Sequence, residues 1–335
     1  MIRGGEVVEL EGVKYLNEAQ EAAWRRLLEA EELHPEAPAE YTVLAWEGDE
    51  LIATGARDGC VLKYLATAAA HQGEGCNAAV VTALRKEAFS HGLDHLFLYT
   101  KPKNRWMFED LFFYGVARTE DVLLMENRRN GVADFVSSLA LAPVEGVTGA
   151  AVMNCDPFTQ GHRYLIETAA RECERVYVFV LSEEKGHFPA ADRLELVRRG
   201  TADLSNVVVC PTGPYLISQA TFPTYFLKDK ADAADVKCRL DMEIFATRFA
   251  PVLGITRRYV GTEPLSPVTE AYNRAMESYL PPRGIEVREI RRAEAGERPV
   301  SASEVRALLG TGQEDRLRQL VPETTLAYLR DNHLL

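Results

Sequence analysis

The stretch Gly149-Ala150-Ala151-Val152-Met153-Asn154-Cys155-Asp156-Pro157-Phe158-Thr159-Gln160-Gly161-His162-Arg163-Tyr164-Leu165 decides the fold. Its small apolar opening suits a buried strand, Asp156-Pro157 signals a turn, and helical spacing resumes at Arg163. Leu165, Ile166, Ala169 and Ala170 share one helix face, and 176–181 reads as a second buried strand. Strand, turn, helix and strand in that order make a βαβ unit, which crosses over right-handed into a parallel sheet. Ligands of such sheets sit outside the carboxyl ends of the strands. The helix N-terminus there offers unpaired N–H groups and partial positive charge, so a phosphate is the expected guest. Thr159 adds a hydroxyl, Gly161 permits close backbone approach, and His162 adds a ring nitrogen.

A second stretch, Val300-Ser301-Ala302-Ser303-Glu304-Val305-Arg306, reads as a helix start. Ser301 and Glu304 are spaced as a capping box, and Gly310 is placed to end the helix. Two hydroxyls and an arginine at such a start suit further phosphates. Pro-Phe-Thr-x-Gly-His resembles the T/HxGH signature of the nucleotidyltransferase superfamily, and Val300–Arg306 resembles that superfamily's ISSTxxR element. The two stand here in the superfamily's order. The resemblance implies that Thr159 and His162 meet the nucleotide phosphates and stabilise charge during attack at the α-phosphate.

Composition sets the outer bounds. A chain of 335 residues is long for one core, so two domains are expected. A net charge of −12 argues against general nucleic-acid affinity, and positive charge must be concentrated locally if ATP is bound. The six cysteines lack paired spacing, which indicates neither a zinc site nor a disulfide framework and fits a reducing cytoplasm. Residues 1–13 lack the pattern of a signal peptide, and no apolar run approaches the ~18 residues of a membrane helix.

In the N-terminal half, Glu18 to Leu33 has helical spacing and ends at His34-Pro35. Residues 41–47 and 50–56 read as a hairpin turning at Gly48-Asp49, and Cys60 to Ala66 as a continuation of the sheet. A glycine turn, Gln72-Gly73-Glu74-Gly75-Cys76-Asn77, leads into a helix from about Asn77 to His91, with Gly92 as its C-cap and a returning strand at 93–100. This order resembles the GNAT acyltransferase fold, whose Q/R-x-x-G-x-G/A turn holds the pyrophosphate of acyl-CoA. Gln72 and Gly75 match that turn, and Asn77 departs from it. The region 101–114 resembles the fold's later strand–helix–strand part. The expected division is a GNAT-like domain at 1–130, a linker helix and connection at 131–148, and a nucleotidyltransferase domain at 149–335.

Beyond the second strand, Lys185 stands at a carboxyl end and is expected to screen phosphate charge. A helix over 192–199 carries Arg193. Val207 to Cys210 reads as a third strand, and residues 218–227, proline-broken and aromatic, as a pocket wall or lid beside its end. A helix over 234–250 is expected to stop at Pro251. Arg257 to Pro264 reads as a fourth strand and its turn, followed by Thr269, Tyr272, Asn273 and Met276 at helical spacing, placed to enclose a base. Residues 285–290 form a fifth strand and 324–329 a last short helix.

A GNAT-like domain joined to a T/HxGH domain resembles the citrate lyase ligase family. The most specific stretches are Asp156–Leu165, Ala220 to Lys228, Tyr259 to Pro264 and Tyr272 to Met276, and Cys155 stands where that family is expected to have Asn. The resemblance implies acetate activation by ATP to acetyl adenylate and pyrophosphate. The acetyl group would then pass to the thiol of a phosphoribosyl-dephospho-CoA arm on the lyase acyl-carrier subunit. It implies Thr159, His162 and Lys185 as the catalytic set. ATP would be bound by Asn154, Pro157, Phe158, Gly161, Arg193, Gly261, Thr262, Glu263, Ser301, Ser303 and Arg306. Ser218, Thr221, Tyr225 and Asn273 are the substrate candidates. Mg²⁺ would be held mainly by ATP, since no acidic metal cluster is evident. A cofactor adenylyltransferase, or an acyl-CoA-sensing protein with an inactive C-terminal half, are the alternatives.

Overall fold

The computed structural model describes residues 2–3, 6–36, 39–184, 186–216, 225–227, 233–262, 267–295 and 298–335. The chain divides into two units, one of residues 1–131 and 222–236, the other of residues 132–221 and 237–335. Residues 222–236 thus cluster with the first unit, although in sequence they lie inside 149–335.

The first unit holds strands β1 (Ile2–Arg3), β2 (Glu6–Val13), β3 (Tyr41–Glu47), β4 (Glu50–Asp58), β5 (Val61–Thr67), β6 (Phe97–Thr100), β7 (Tyr114–Arg118) and β8 (Leu123–Glu126). Its helices are α1 (Glu18–Ala30), α2 (Cys76–Ser90) and α3 (Arg105–Glu109). The sheet order is β1-β2-β3-β4-β5-β6-β8-β7. All neighbours are antiparallel except β5 and β6, which pair in parallel only at Val61–Phe97 and Leu62–Leu98. The two strands then run on to Thr67 and Thr100 without pairing. With the glycine turn and α2 between those strands, this is the GNAT-like α/β arrangement that the sequence resembles. Gly48 takes φ +56 in the two-residue turn joining β3 to β4, the left-handed conformation that glycine adopts without strain. Asn17 caps α1 in a capping box with Gln20. Strand β2 is not legible in the sequence, because its alternating Glu9 and Glu11 look like a solvated segment.

The second unit begins with α4 (Gly131–Leu139), of which Gly131 itself is counted with the first. Then come β9 (Thr148–Met153), α5 (Gln160–Glu172), β10 (Arg175–Val180), α6 (Ala190–Gly200), β11 (Val207–Pro211) and α7 (Ala233–Ile244). They are followed by α8 (Ala250–Leu253), β12 (Arg257–Gly261), α9 (Pro267–Tyr279), β13 (Glu286–Ile290), β14 (Glu294–Ala295) and β15 (Arg298–Pro299), a two-stranded ribbon, and α10 (Ala302–Leu308), α11 (Glu314–Leu320) and α12 (Glu323–Asp331). The five main strands are all parallel in the order β11-β10-β9-β12-β13. All five stand where the sequence places them.

Both faces of this sheet are covered, which is why β10 reads as the almost unbroken apolar run Val-Tyr-Val-Phe-Val. Val176, Val178 and Val180 face α5 and α6 in a core with Ile166, Ala169, Leu196 and Val197. On the other side Phe179 meets Phe249 edge-on at 5.5 Å, and Phe249 meets Phe135 of α4 at 6.2 Å. Pro251 does not stop the preceding helix. Residues Phe245–Phe249 widen into a π-turn, and Pro251 falls in the first turn of α8, where its missing N–H costs nothing. Gly254, at φ +67, ends the helix instead.

Candidate active site

Strand β9 pairs with β12 only from Gly149–Arg257 to Ala151–Tyr259. Their last residues diverge, at the point where the sheet order reverses, and a cavity of about 410 Å³ opens between them. Val152, Met153, Val260 and Gly261 line it from the strands.

Thr159 is the N-cap of α5, and its side chain accepts the His162 N–H at 3.4 Å. The Thr159 N–H in turn donates to His162 Nδ1 at 3.1 Å. Thr-x-Gly-His is therefore a reciprocal capping box in which an imidazole replaces the usual Glu, and its three-residue spacing follows from that geometry. Because Nδ1 accepts a backbone N–H, the neutral ring carries its proton on Nε2. Burial, reinforced by the Arg292 charge, lowers the His162 pKa to about 4. At neutral pH His162 is an uncharged donor, neither a cation nor a general base. Phe158, fully buried, stacks behind the ring at 6.0 Å, and its carbonyl accepts the Thr325 hydroxyl at 3.1 Å.

The second motif meets the first directly. A Cβ built on Gly161 would lie 3.5 Å from Val300, so the start of α5 packs against the residue preceding Ser301. Ser301 caps α10 by accepting the Ser303 N–H at 3.2 Å. The expected capping box is incomplete, because Glu304 pairs with Arg316 at 2.8 Å instead of turning back to the cap. Gly161, Ser301 and Ser303 all line the cavity, with Asn154, Thr159, His162, Gly261 and Asn273. Asn273 is held in place by donating to the Gly261 carbonyl at 2.9 Å.

Other predicted residues lie nearby but turn to structural partners. Arg306 donates to the Asp156 carbonyl and to Ser303 Oγ, at 3.0 Å for the latter, tying α10 to the turn after β9. Arg193 is 1 % exposed, and its guanidinium is spent on the carbonyls of Phe188, Asn154 and Glu183 and the Asn154 side chain. It holds the strand-end loops in shape, including Asn154 of the lining, and does not itself line the cavity. The Asp156 carboxylate accepts the amides of His187 and Phe188 at 2.9 and 2.8 Å. Pro157 follows Asp156 through a cis peptide bond. Cys155, buried, sits at φ +53, a left-handed conformation that Asn tolerates better than Cys. Thr262 Oγ1 accepts the Arg292 N–H at 3.2 Å. Tyr225 is buried in the first unit, 4.6 Å from Tyr64, and its carbonyl accepts the His34 N–H at 2.7 Å. Lys185, Ser218, Thr221 and Glu263 lie outside the described residues.

The lining also contains residues that the sequence did not single out: Arg258, Arg291 and Arg292. Among the described residues, three arginines and no Asp or Glu border this cavity, in a chain whose net charge is −12. Arg258 is 5 % exposed, in the middle of a buried strand. A charged residue there is the one sequence signal that could have revealed it. Among the described residues no group of three or more His, Cys, Asp or Glu is placed to hold a metal, and no helix is long and apolar enough to cross a membrane.

The family described as "Citrate lyase ligase C-terminal domain" matches residues 148–329. The protein named citrate (pro-3S)-lyase ligase from Klebsiella pneumoniae is 40% identical over 310 residues, 91% of either chain. A phosphopantetheine adenylyltransferase of Clostridium botulinum is 33% identical over 100 residues, 29% of this chain and 57% of that protein. Among solved structures, Escherichia coli ElaA aligns with 36% of this chain and 100% of its own, at 15% identity and a TM-score of 0.31. With a family domain spanning all five strands of the parallel sheet and a relative matched nearly end to end, the chain belongs to the citrate lyase ligase family of enzymes.

Proposed function

We propose that this enzyme activates acetate with ATP, forming acetyl adenylate and pyrophosphate, and then passes the acetyl group to a carrier-bound thiol, which loses its proton as AMP leaves. The acceptor is the phosphoribosyl-dephospho-CoA arm on the acyl-carrier subunit of citrate lyase, which is thereby activated. The observation that carries this reading is the cavity at the strand crossover, whose described lining has a neutral imidazole N–H, three arginines and no carboxylate. Such a lining favours an anion, and its described residues supply no general base. An acetate nucleophile needs none, because it is already ionised at neutral pH. One acetate oxygen bonds to the α-phosphorus, the bridge to the β-phosphate breaks, and no proton is transferred. The chain's residues contribute positioning and fixed donors, as in other phosphoryl chemistry.

Thr159 holds His162 so that its Nε2–H reaches a phosphate oxygen, and the first turn of α5, at Gly161, leaves room for close approach. Ser301 and Ser303 supply hydroxyls to the remaining phosphates, and Lys185 adds charge. Mg²⁺ is carried by the triphosphate oxygens and screens their charge when bound. In the first unit, the open wedge between β5 and β6 beside the Gly75 turn suits the pantetheine part of the arm, so that unit docks the carrier. The division of labour follows the segments 1–130, 131–148 and 149–335, and the enzyme works in the cytoplasm. The likeness over 100 residues to an adenylyltransferase supports one rival, in which AMP stays on the acceptor.

Pyrophosphate release from ATP, assayed with a panel of carboxylic acids with and without acyl carrier, tests the reading. Release that depends on acetate and yields a hydroxylamine-trappable acyl group supports it. Release that depends only on a phosphorylated cofactor precursor refutes it in favour of the rival.

A further inference from the structure

Arg258 lies on β12 and lines the cavity, yet among the described residues its guanidinium makes no hydrogen bond. It is 5 % exposed, and its Nε is buried without a hydrogen-bond partner. Its guanidinium carbon lies 4.5 Å from the centroid of the Phe245 ring. A buried acid, Asp241, favours its charge without closing an ion pair. Asp241, 7 % exposed, accepts the Tyr272 hydroxyl at 2.5 Å and makes no ion pair with Arg258.

An arginine carries five donors in a planar fork, and a buried one left unpaired is strongly destabilising. Other buried arginines of this fold are saturated. Arg193 is bonded to three carbonyls, and Arg57, 5 % exposed, forms ion pairs with Glu87 and Glu40. Arg258 alone among these is left open, and it is left open toward a cavity. Burial lowers its pKa, with Tyr272 and Asp241 acting in the opposite direction, so the site is one that an arriving anion would stabilise.

We infer that Arg258 is the anchor for the carboxylate of the acid substrate, holding it in the cavity wall beside Tyr272 while the phosphates occupy the side of Thr159, His162, Ser301 and Ser303. A guanidinium fork matches a carboxylate bidentately or through one oxygen, leaving the other oxygen to attack. Phe245 and Met276 border the same region and suit a short apolar acyl chain. The inference rests on the acid-activation reading and adds to it the residue that selects the substrate class.

The test uses the full-length enzyme and compares wild type with Arg258→Met and Arg258→Lys. Three quantities are read: ATP affinity by calorimetry without acid, acetate-dependent pyrophosphate release, and protection from thermal unfolding by acetate. In Arg258→Met, KM for acetate should rise on the order of 10²-fold and acetate protection should vanish, with ATP affinity within about twofold of wild type. Arg258→Lys should restore part of the acetate dependence, because it returns the charge without the fork. If ATP affinity falls and KM for acetate stays put, Arg258 serves a phosphate and the inference is overturned while acid activation stands. If wild type releases no pyrophosphate with any acid, both fail together. Should Arg258→Met not fold, the lysine variant and the wild-type protection assay still decide: no protection by acetate in wild type, alone or with a non-hydrolysable ATP analogue, overturns the inference.

Discussion

Replacing His162 separates its two jobs, which the geometry assigns to different nitrogens. Nδ1 accepts the Thr159 N–H and completes the cap of α5, while Nε2–H is the donor proposed to meet a phosphate oxygen. His162→Ala removes both. The lost cap should cost ~0.5–2 kcal/mol of stability, the usual range for a helix N-terminus. Loss of the donor should lower acetate-dependent pyrophosphate release about 10²-fold, equivalent to ~3 kcal/mol of transition-state stabilisation. Glutamine at the same position can still accept the Thr159 N–H, as Glu and Gln do in ordinary capping boxes. His162→Gln should therefore melt close to wild type while remaining slow. The pH dependence supplies an independent check. The folded pKa near 4 lies below the ordinary value of 6.5, so the unfolded chain binds a proton that the folded chain refuses. This group's contribution to stability is complete above pH 6.5 and is lost as pH falls toward 4. His162→Gln should flatten that part of the curve, and wild-type adenylate formation should show no inflection from His162 near 6.5. Near-normal turnover in His162→Ala, or a rate that falls with a midpoint at 6.5, would refute the assignment of a neutral donor.

Three further outcomes are expected. With no carboxylate and a neutral imidazole in the described lining, transfer to the carrier thiol has no evident general base. Its rate should climb with pH toward the thiol's ordinary pKa of about 8.5 while adenylate formation stays level, as parallel assays of the two half-reactions would show. A methyl added at Gly149 would lie 2.8 Å from Cys173 Sγ and 2.9 Å from the Tyr259 ring, so Gly149→Ala should lose ~1–3 kcal/mol, measured as a lowered unfolding midpoint. Arg193→Lys cannot reproduce the bonds to three carbonyls. It should lower the melting temperature by several degrees yet leave the KM for ATP of the folded fraction within about twofold, and an isolated loss of ATP affinity would return Arg193 to the phosphate site.

Much of this protein was settled by local sequence. The first three parallel strands could be placed because each is a short apolar run closed by a turn, and the last two because Val, Tyr and Ile mark them between turn residues. The Thr159–His162 motif was legible because it spans four consecutive residues, although its capping box showed only in the fold, and the Gly48-Asp49 turn because two residues define it. Where the chain departs from such local rules, the cause lies further away. Glu304 abandons its cap because Arg316, twelve residues on, offers a charge. Pro251 sits inside a helix because a π-turn precedes it. Arg193 and Arg306 look like phosphate ligands in sequence, and only the carbonyls folded around them show where their donors go. Tyr225 was placed beside the third strand's end by proximity in sequence, but it packs on Tyr64, whose distance along the chain no periodicity encodes. Arg258 is the clearest case. Sequence shows an arginine in a strand, and only the tertiary structure leaves it buried, bordering a cavity and without a partner. Patterns over a few residues report backbone preference and which face is apolar, whereas the pairing of a charge is decided by whatever distant segment packs against it.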